Sequence, residues 1–297
     1  MVGKNGAPAP VPMQLIPLGR RAREAADREK AEAAAKERAE RGTKRKREAL
    51  AQKKTQTRSN LRRLVDALRV VFPEGSKCDT LPSAHSVSLI CRLLEEIRPE
   101  DVGLRPDGAR YFQELDERGA RGTPAITTKN LYECDTFTVA AFLLSPGKVM
   151  PLHDHPRMTV FSKILMGSAH VTSYDWVQPS LCLDRRWLLA QKVLDKEFTP
   201  ESGAWALYPD TGGNVHRLAA GADGPCAFID VLSPPYGSPL QQIGGSFYED
   251  MPFKKIHPAV PNQISEEQKG KLAWLQQIGV PKDLNLITLQ NRGPGSQ

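Results

Sequence analysis

The period of the hydrophobic positions changes along the chain, and the changes divide it. From Arg20 to Lys54 scarcely a side chain larger than alanine is apolar, and the residues are Ala, Arg, Glu and Lys. Such a stretch favours helix but has nothing to bury. Leu61, Leu64, Val65, Leu68 and Val71 then recur at steps of three and four, the spacing of one apolar helical face that needs a core. A second helix is predicted over Ser83 to Arg98. Ser83 or Ser86 caps it, Val87, Ile90, Leu93, Leu94 and Ile97 form its stripe, and Pro99 stops it. From Tyr132 onward the period becomes two, or collapses into short apolar runs with turn residues between them: FTVAAFLL, MTVFSKILM, HVTSYDWV, RWLLAQKVLDKEFT, AWALYPDTGGN, VHRLAA and CAFIDVLS. This rhythm predicts an antiparallel barrel or sandwich rather than alternating strand and helix units. A final helix is predicted over Ser265 to Ile278, ahead of a polar tail. The chain is thus read as a mainly β domain over residues 59–297, with helices on its N-terminal side and a short C-terminal helix, preceded by an arm over residues 1–58.

Length and charge sharpen this division. The 297 residues allow one large domain or two modest ones, and the longest apolar run, Val139 to Leu144, is too short to span a membrane. The net charge of +7 is not a property of the whole chain. Arg20 to Arg63 holds 17 Lys/Arg against 7 Asp/Glu; removing these and Lys4 from the totals of 41 and 34 leaves 23 basic and 27 acidic residues elsewhere. The arm is expected to be solvated and partly helical, broken at Gly42. Any nucleic-acid binding is expected only through this arm, because the folded part is acidic. Its block Lys44-Arg45-Lys46-Arg47 suits a nuclear-import signal or phosphate contact. Residues 1–19, with four prolines, show no secretory pattern, and the acidic residues of the arm count against an organelle transit peptide. Five scattered cysteines without a CxxC suit reduced thiols in the cytoplasm or nucleus, and Cys182 and Cys226 are read as buried strand cysteines. A monomer is expected.

Candidate chemistry lies in His153-Asp154-His155, after the turn at Ser145-Pro146-Gly147. Residues i and i+2 of a strand face the same way, so two imidazoles can converge on one point. His216, beyond the turn from Pro209 to Gly213, can join them if an antiparallel barrel brings the segments side by side. Alone, an HxH is more often structural. Together with Gly147, Gly167, Gly203, Pro209 and Gly212, the spacing resembles the two short motifs of the cupin superfamily, whose fold is a double-stranded β-helix or jelly roll. The usual glutamate after HxH is missing, since Thr159 and Val160 stand there. Three neutral ligands leave the full charge on a divalent metal, which favours an anionic donor such as a thiolate. Imidazoles suit iron, copper, zinc and nickel alike, so a zinc hydrolase stays open at this level.

The stretch HDHPRMTVFSKILMGSAHVTSYDWV from His153, with RPEDVGL from Arg98 and IDVLSPPY from Ile229, resembles the plant cysteine oxidase and 2-aminoethanethiol dioxygenase family. The resemblance runs from about Ser59 to Pro294. It implies an Fe(II) thiol dioxygenase that uses O2 to turn a thiol into a sulfinic acid. In plant-type members the substrate is the N-terminal cysteine of a protein, whose oxidation leads to arginylation and degradation through the N-degron pathway and so to oxygen and hypoxia sensing. By the same resemblance His153, His155 and His216 are the metal ligands, while Asp230 and Tyr236 flank the substrate. Asp230 follows an apolar run, where an inward carboxylate needs a partner such as a substrate ammonium. Tyr236, after Pro234-Pro235, could aim a hydroxyl into the barrel mouth. The Cys-X-Tyr of some members is absent from Gly244-Gly245-Ser246-Phe247-Tyr248, so no thioether crosslink is expected. The remaining histidines, His85, His170 and His257, are read as structural or surface. Three alternatives remain: a dioxygenase of small thiols (cysteamine or free cysteine), with Arg157 or Lys163 as candidate carboxylate partners; a non-catalytic cupin with a nucleic-acid-binding arm; and the zinc hydrolase.

Overall fold

The structure is a computed structural model describing residues 36, 38, 41, 42, 44, 60–75, 81–104, 126–178, 180–183, 185–237, 244–253 and 265–288. The chain divides into two compact units, Met1–Gln56 and Thr57–Gln297. All five described positions of the first unit are helical, Gly42 included. The expected break is therefore not found there. One glycine costs only about 1 kcal/mol against alanine, and its neighbours are strong helix formers.

The second unit holds helices α1 (residues 60–71) and α2 (Ala84–Glu95). Strands β1 (Ile126–Glu133), β2 (Thr138–Leu144), β3 (Val149–His153), β4 (Thr159–Met166) and β5 (Ala169–Trp176) follow. Next come β6 (Cys182–Leu183), β7 (Trp187–Phe198), β8 (Trp205–Leu207), β9 (Val215–Ala220), β10 (Cys226–Ser233) and β11 (Phe247–Pro252). Helix α3 (Glu266–Lys271), β12 (Leu272–Ile278) and β13 (Leu286–Thr288) come last, and short 3-10 helices stand at Pro99–Val102 and Pro200–Ser202. The second half of the predicted C-terminal helix is therefore a strand. Its apolar residues pair with β11 on one side and β7 on the other, a tertiary demand that outweighs the local preference.

One sheet runs β13-β1-β2-β10-β4-β8, and the other runs β12-β11-β3-β9-β5-β7-β6. An added β12–β7 pairing closes six strands of the second sheet into a ring. This is the cupin jelly roll that the motifs imply. The core of Leu144, Ile164 and Phe228 from one sheet against Met150, Val171 and Leu218 from the other lies between the two.

The first sheet is buried on both faces, which is why its strands read as apolar runs instead of alternating. Val139, Ala141, Leu143, Phe161, Leu165, Ile229 and Val231 pack outward against Leu64, Leu68, Ile90 and Leu94 of α1 and α2. The even-numbered residues of β2, of β4 as far as Ile164, and of β10 consequently face inward. Ser83 caps α2, accepting a hydrogen bond from the Ser86 backbone N–H at 3.2 Å. The far end of α2 is held by Lys163 of β4, whose Nζ donates to the carbonyls of Glu95 and Ile97 at 2.9 and 2.8 Å.

Candidate metal centre

His153 ends β3, and its ladder partner is His216 of β9. His155 lies beyond the strand, so the two histidines of the HxH meet by a different route from the two-residue period of one strand. The ladder shifts register between Met150 and His153, and such an irregularity re-aims the side chains that follow. Ring centroids stand 4.6 Å apart for His153 and His216, 4.9 Å for His153 and His155, and 5.1 Å for His155 and His216. One ring nitrogen from each lies within 4.8 Å of the others.

The opposite nitrogens are all engaged. His153 Nδ1 stands 2.8 Å from the Pro151 carbonyl and His216 Nδ1 3.0 Å from the Asn214 carbonyl, so each must carry the proton and donate it. His155 Nδ1 lies 2.7 Å from the Tyr236 hydroxyl, which is also 2.9 Å from the Asp154 carbonyl. A carbonyl only accepts. The arrangement that satisfies every group has Tyr236 donating to Asp154 and His155 Nδ1–H donating to Tyr236. Every Nε2 is then an unprotonated lone pair, and His155 Nε2 is buried without a hydrogen-bond partner. Burial lowers the basicity of all three rings, His216 to about 3 and His155 well below its ordinary value, with the neighbouring imidazoles adding to the effect on these two. Three neutral, preoriented donors are what a divalent transition metal requires.

Two residues that sequence reasoning passed over hold this geometry. Buried Asn214 accepts from His155 N–H at 2.7 Å and donates to the carbonyls of His155 and Tyr208 at 2.9 and 3.1 Å, stitching one ligand segment to the other. Asp154, between the two histidines, accepts from Ser246 N–H at 2.7 Å and from the Tyr248 hydroxyl at 2.8 Å, which fixes the start of β11 beside the site. Their only signal in the sequence was adjacency to ligand candidates. The turn before Asn214 also depends on Asp175, whose carboxylate accepts from the N–H groups of Gly212 and Gly213. Gly213 has φ +85°, and a Cβ there would lie 2.3 Å from Ser173 Oγ.

The histidines line a cavity of about 480 Å³. Its opposite wall is the inward face of β1, β2 and β10. The ladder sets Phe228 and Phe142 in one row with Thr128, Asp230 and Ala140 in the next with Asn130, and Leu232 and Thr138 in a third with Glu133. Asp230 is only 6% exposed, and its Oδ1 has no hydrogen-bond partner. Burial pushes its carboxyl up to about 7, against a hydrogen bond from Ser162 that pulls it down. Tyr236 lies at the same cavity with part of its ring exposed and its hydroxyl committed to His155 and Asp154; desolvation of that hydroxyl, together with Asp154 and Asp230, raises its pKa.

No Lys or Arg among the described residues lines this cavity. Lys163 lies on the helix face of β4, and exposed Arg157 occupies a turn at φ 59°. His170 pairs with Asp195 at the surface at 2.8 Å, away from the cavity. His257 and residues 238–243 fall outside the described residues. Cys226 is buried, but Cys182 is exposed. The two-residue strand β6 pairs with β7 and stands last in the described strand order of its sheet.

A family model described as PCO_ADO matches residues 93–295. Plant cysteine oxidase 1 of Arabidopsis thaliana is 38% identical over 237 residues, 79% of each chain. Plant cysteine oxidase 2 of the same organism is 36% identical over 252 residues, 82% of this chain and 88% of its own. The 2-aminoethanethiol dioxygenase of Mus musculus is 33% identical over 169 residues, 51% of this chain and 63% of its own.

Proposed function

The chain belongs to the plant cysteine oxidase and 2-aminoethanethiol dioxygenase family, a family of thiol dioxygenases, and we propose that it uses Fe(II) to oxidise the N-terminal cysteine of a protein to the sulfinic acid. The observation that carries the substrate assignment is the Asp230 carboxylate. It is buried, with one oxygen unpartnered, and in the same cavity as three inward-facing imidazole nitrogens, with no cation in the lining among the described residues. A substrate with an ammonium beside its thiol satisfies Asp230. Free cysteine would bring a carboxylate that no described lining side chain neutralises, next to a group already resisting charge.

The reaction adds both atoms of O2 to the thiol, RSH giving RSO2H with no further reductant. When bound by His153, His155 and His216, Fe(II) supplies the open positions and the one-electron chemistry that let O2 react with a thiolate. The chain's own residues do the rest. Asp230 receives the ammonium, and the ion pair draws its carboxyl down from about 7, so substrate binding itself ionises the residue. Tyr236 and Asp154 hold the His155 ring in the tautomer that presents Nε2. Phe142, Phe228 and Leu218 form an apolar wall of the cavity and limit its water.

Cysteamine carries the same ammonium and thiol, but it is far smaller than the cavity. A peptide terminus fills the volume better. The sulfinic acid is not reversed by ordinary thiols, so on this reading the product is a one-way, oxygen-dependent mark suited to the N-degron pathway. The chain would act in the cytoplasm or nucleus.

The test is mass spectrometry of a Cys-initiating peptide after anaerobic Fe(II) loading and admission of air, beside its N-acetylated form, cysteamine and free cysteine. Gain of two oxygens on the free-amine peptide alone is expected. Oxidation of cysteamine without the peptide moves the enzyme to small-thiol chemistry, and turnover of a Zn(II)-loaded sample without O2 revives the hydrolase.

A further inference from the structure

The wall of the cavity carries a second carboxylate that the chemistry at the metal does not use. Along β1 the inward residues should alternate, and Thr128 and Asn130 obey this by lining the cavity. Tyr132 would be next. Instead the β1–β2 register shifts between Asn130 and Tyr132. Leu131 and Tyr132 both pack on the helix-facing cluster, with Tyr132 stacked on Phe137 at 5.2 Å and accepting from Arg69 of α1. The irregularity returns Glu133 to the cavity side, where its Oε2 accepts from Asn130 Nδ2 at 2.8 Å.

The sheet register also fixes where this pair stands relative to the ammonium site. Asp230, Ala140 and Asn130 are direct neighbours across three strands. Two strand spacings separate the Asp230 and Asn130 backbones, about 10 Å, and Glu133 lies one inward position further along. Between them the wall is Ala140, the smallest side chain available short of glycine. An extended chain whose amino group meets Asp230 covers that span in about three residues. Glu133 is exposed at the outer end of this path while Asp230 is buried at its inner end, so a peptide leaving the metal centre over Ala140 passes Glu133 on its way to solvent.

We propose that Glu133, held by Asn130, is a specificity-determining residue that favours a Lys or Arg side chain within the first four residues of the substrate and disfavours an acidic one. The inference rests on the N-terminal-cysteine reading. The contact is solvent-accessible, so its effect is modest, about two- to five-fold in kcat/KM for a basic over an acidic side chain, and it weakens with salt.

The experiment uses the full-length Fe(II) enzyme with short, glycine-rich, C-terminally amidated Cys peptides carrying a single Lys, Ala or Asp at position 2, 3 or 4. The readout is the Lys-to-Asp ratio of kcat/KM within each enzyme, so a general change in activity cancels. Wild type should favour Lys at one or more positions, with the ratio falling toward one in Glu133→Gln and below one in Glu133→Lys, and shrinking at high ionic strength. A wild-type ratio of one at every position, or an unchanged ratio in Glu133→Gln, overturns the assignment. Oxidation of cysteamine with no peptide oxidised overturns the N-terminal-cysteine reading and this inference with it, an outcome distinct from uniform oxidation of all peptides.

Discussion

Replacing Asp230 with asparagine should stabilise the metal-free protein while impairing the enzyme. The carboxyl sits 6% exposed with one oxygen unpartnered, and its pKa rises from an ordinary 3.8 to about 7 because burial penalises the charged form. An acid whose folded pKa is raised binds more protons in the folded state than in the unfolded state. Stability is therefore lost as pH rises from the unfolded pKa through the folded one. From these two values the cost is about 2 kcal/mol at pH 5 and levels off near 4 kcal/mol by pH 8. The amide of the variant cannot ionise and does not incur it. Urea unfolding of chelator-treated wild type and Asp230→Asn at the two pH values measures the difference, with the variant's advantage growing by about 2 kcal/mol between them. The Fe(II)-loaded variant should retain metal but lose kcat/KM on amine-bearing thiols. An advantage that is the same at pH 5 and pH 8 would refute the claim that Asp230 is a buried carboxylate awaiting a cation.

Two further substitutions probe the frame of the site. Asn214→Ala leaves the buried N–H of His155 without its partner and removes one of the two donors to the His155 carbonyl, which keeps the Met158 N–H, and should cost about 2 kcal/mol in chemical denaturation and 10- to 100-fold in metal affinity by competition with a chelator; unchanged affinity would show that Asn214 does not orient the ligands. A Cβ on Gly245 would lie 2.9 Å from both the Tyr236 hydroxyl and the Asp154 carbonyl. Gly245→Ala should thus push Tyr236 off His155 and lower turnover by about tenfold or more, whereas Gly224→Ala, which meets nothing within 4 Å, should have the wild-type rate.

Much of the fold was legible because local signals and tertiary demands agreed. The stripe from Leu61 to Val71 and the Ser83 cap stand where a helical face must meet the sheet, and the apolar runs of β2, β4 and β10 are strands covered on both sides. Legibility failed where the two disagreed. Residues 272–278 carry no decisive period over so short a stretch, and only the β7 and β11 edges make them a strand. The exposure of Cys182 followed from a two-residue strand at a sheet edge, which no local pattern announces. Within the site, His153, His155 and His216 could be named from their types and spacing. Asn214 and Asp154 could not, because an amide or carboxylate in a turn reads the same whether it clamps a ligand segment or faces water.

By itself the sequence determined the class of chemistry. Three imidazoles with no carboxylate among them, a stranded domain to gather them, and a carboxylate set in an apolar strand are properties of residue identity and order. The tertiary structure decided where those groups stand relative to one another. Pairing β3 with β9 put His216 against His153, closure of the ring through β12 carried β11 to the site, and the irregularity in β1 turned Glu133 toward the cavity and Tyr132 away from it. Side-chain orientation in a sheet changes with a single step of register. Which carboxylates face the cavity, and which lysine does not, is therefore settled by pairings between strands far apart in the chain.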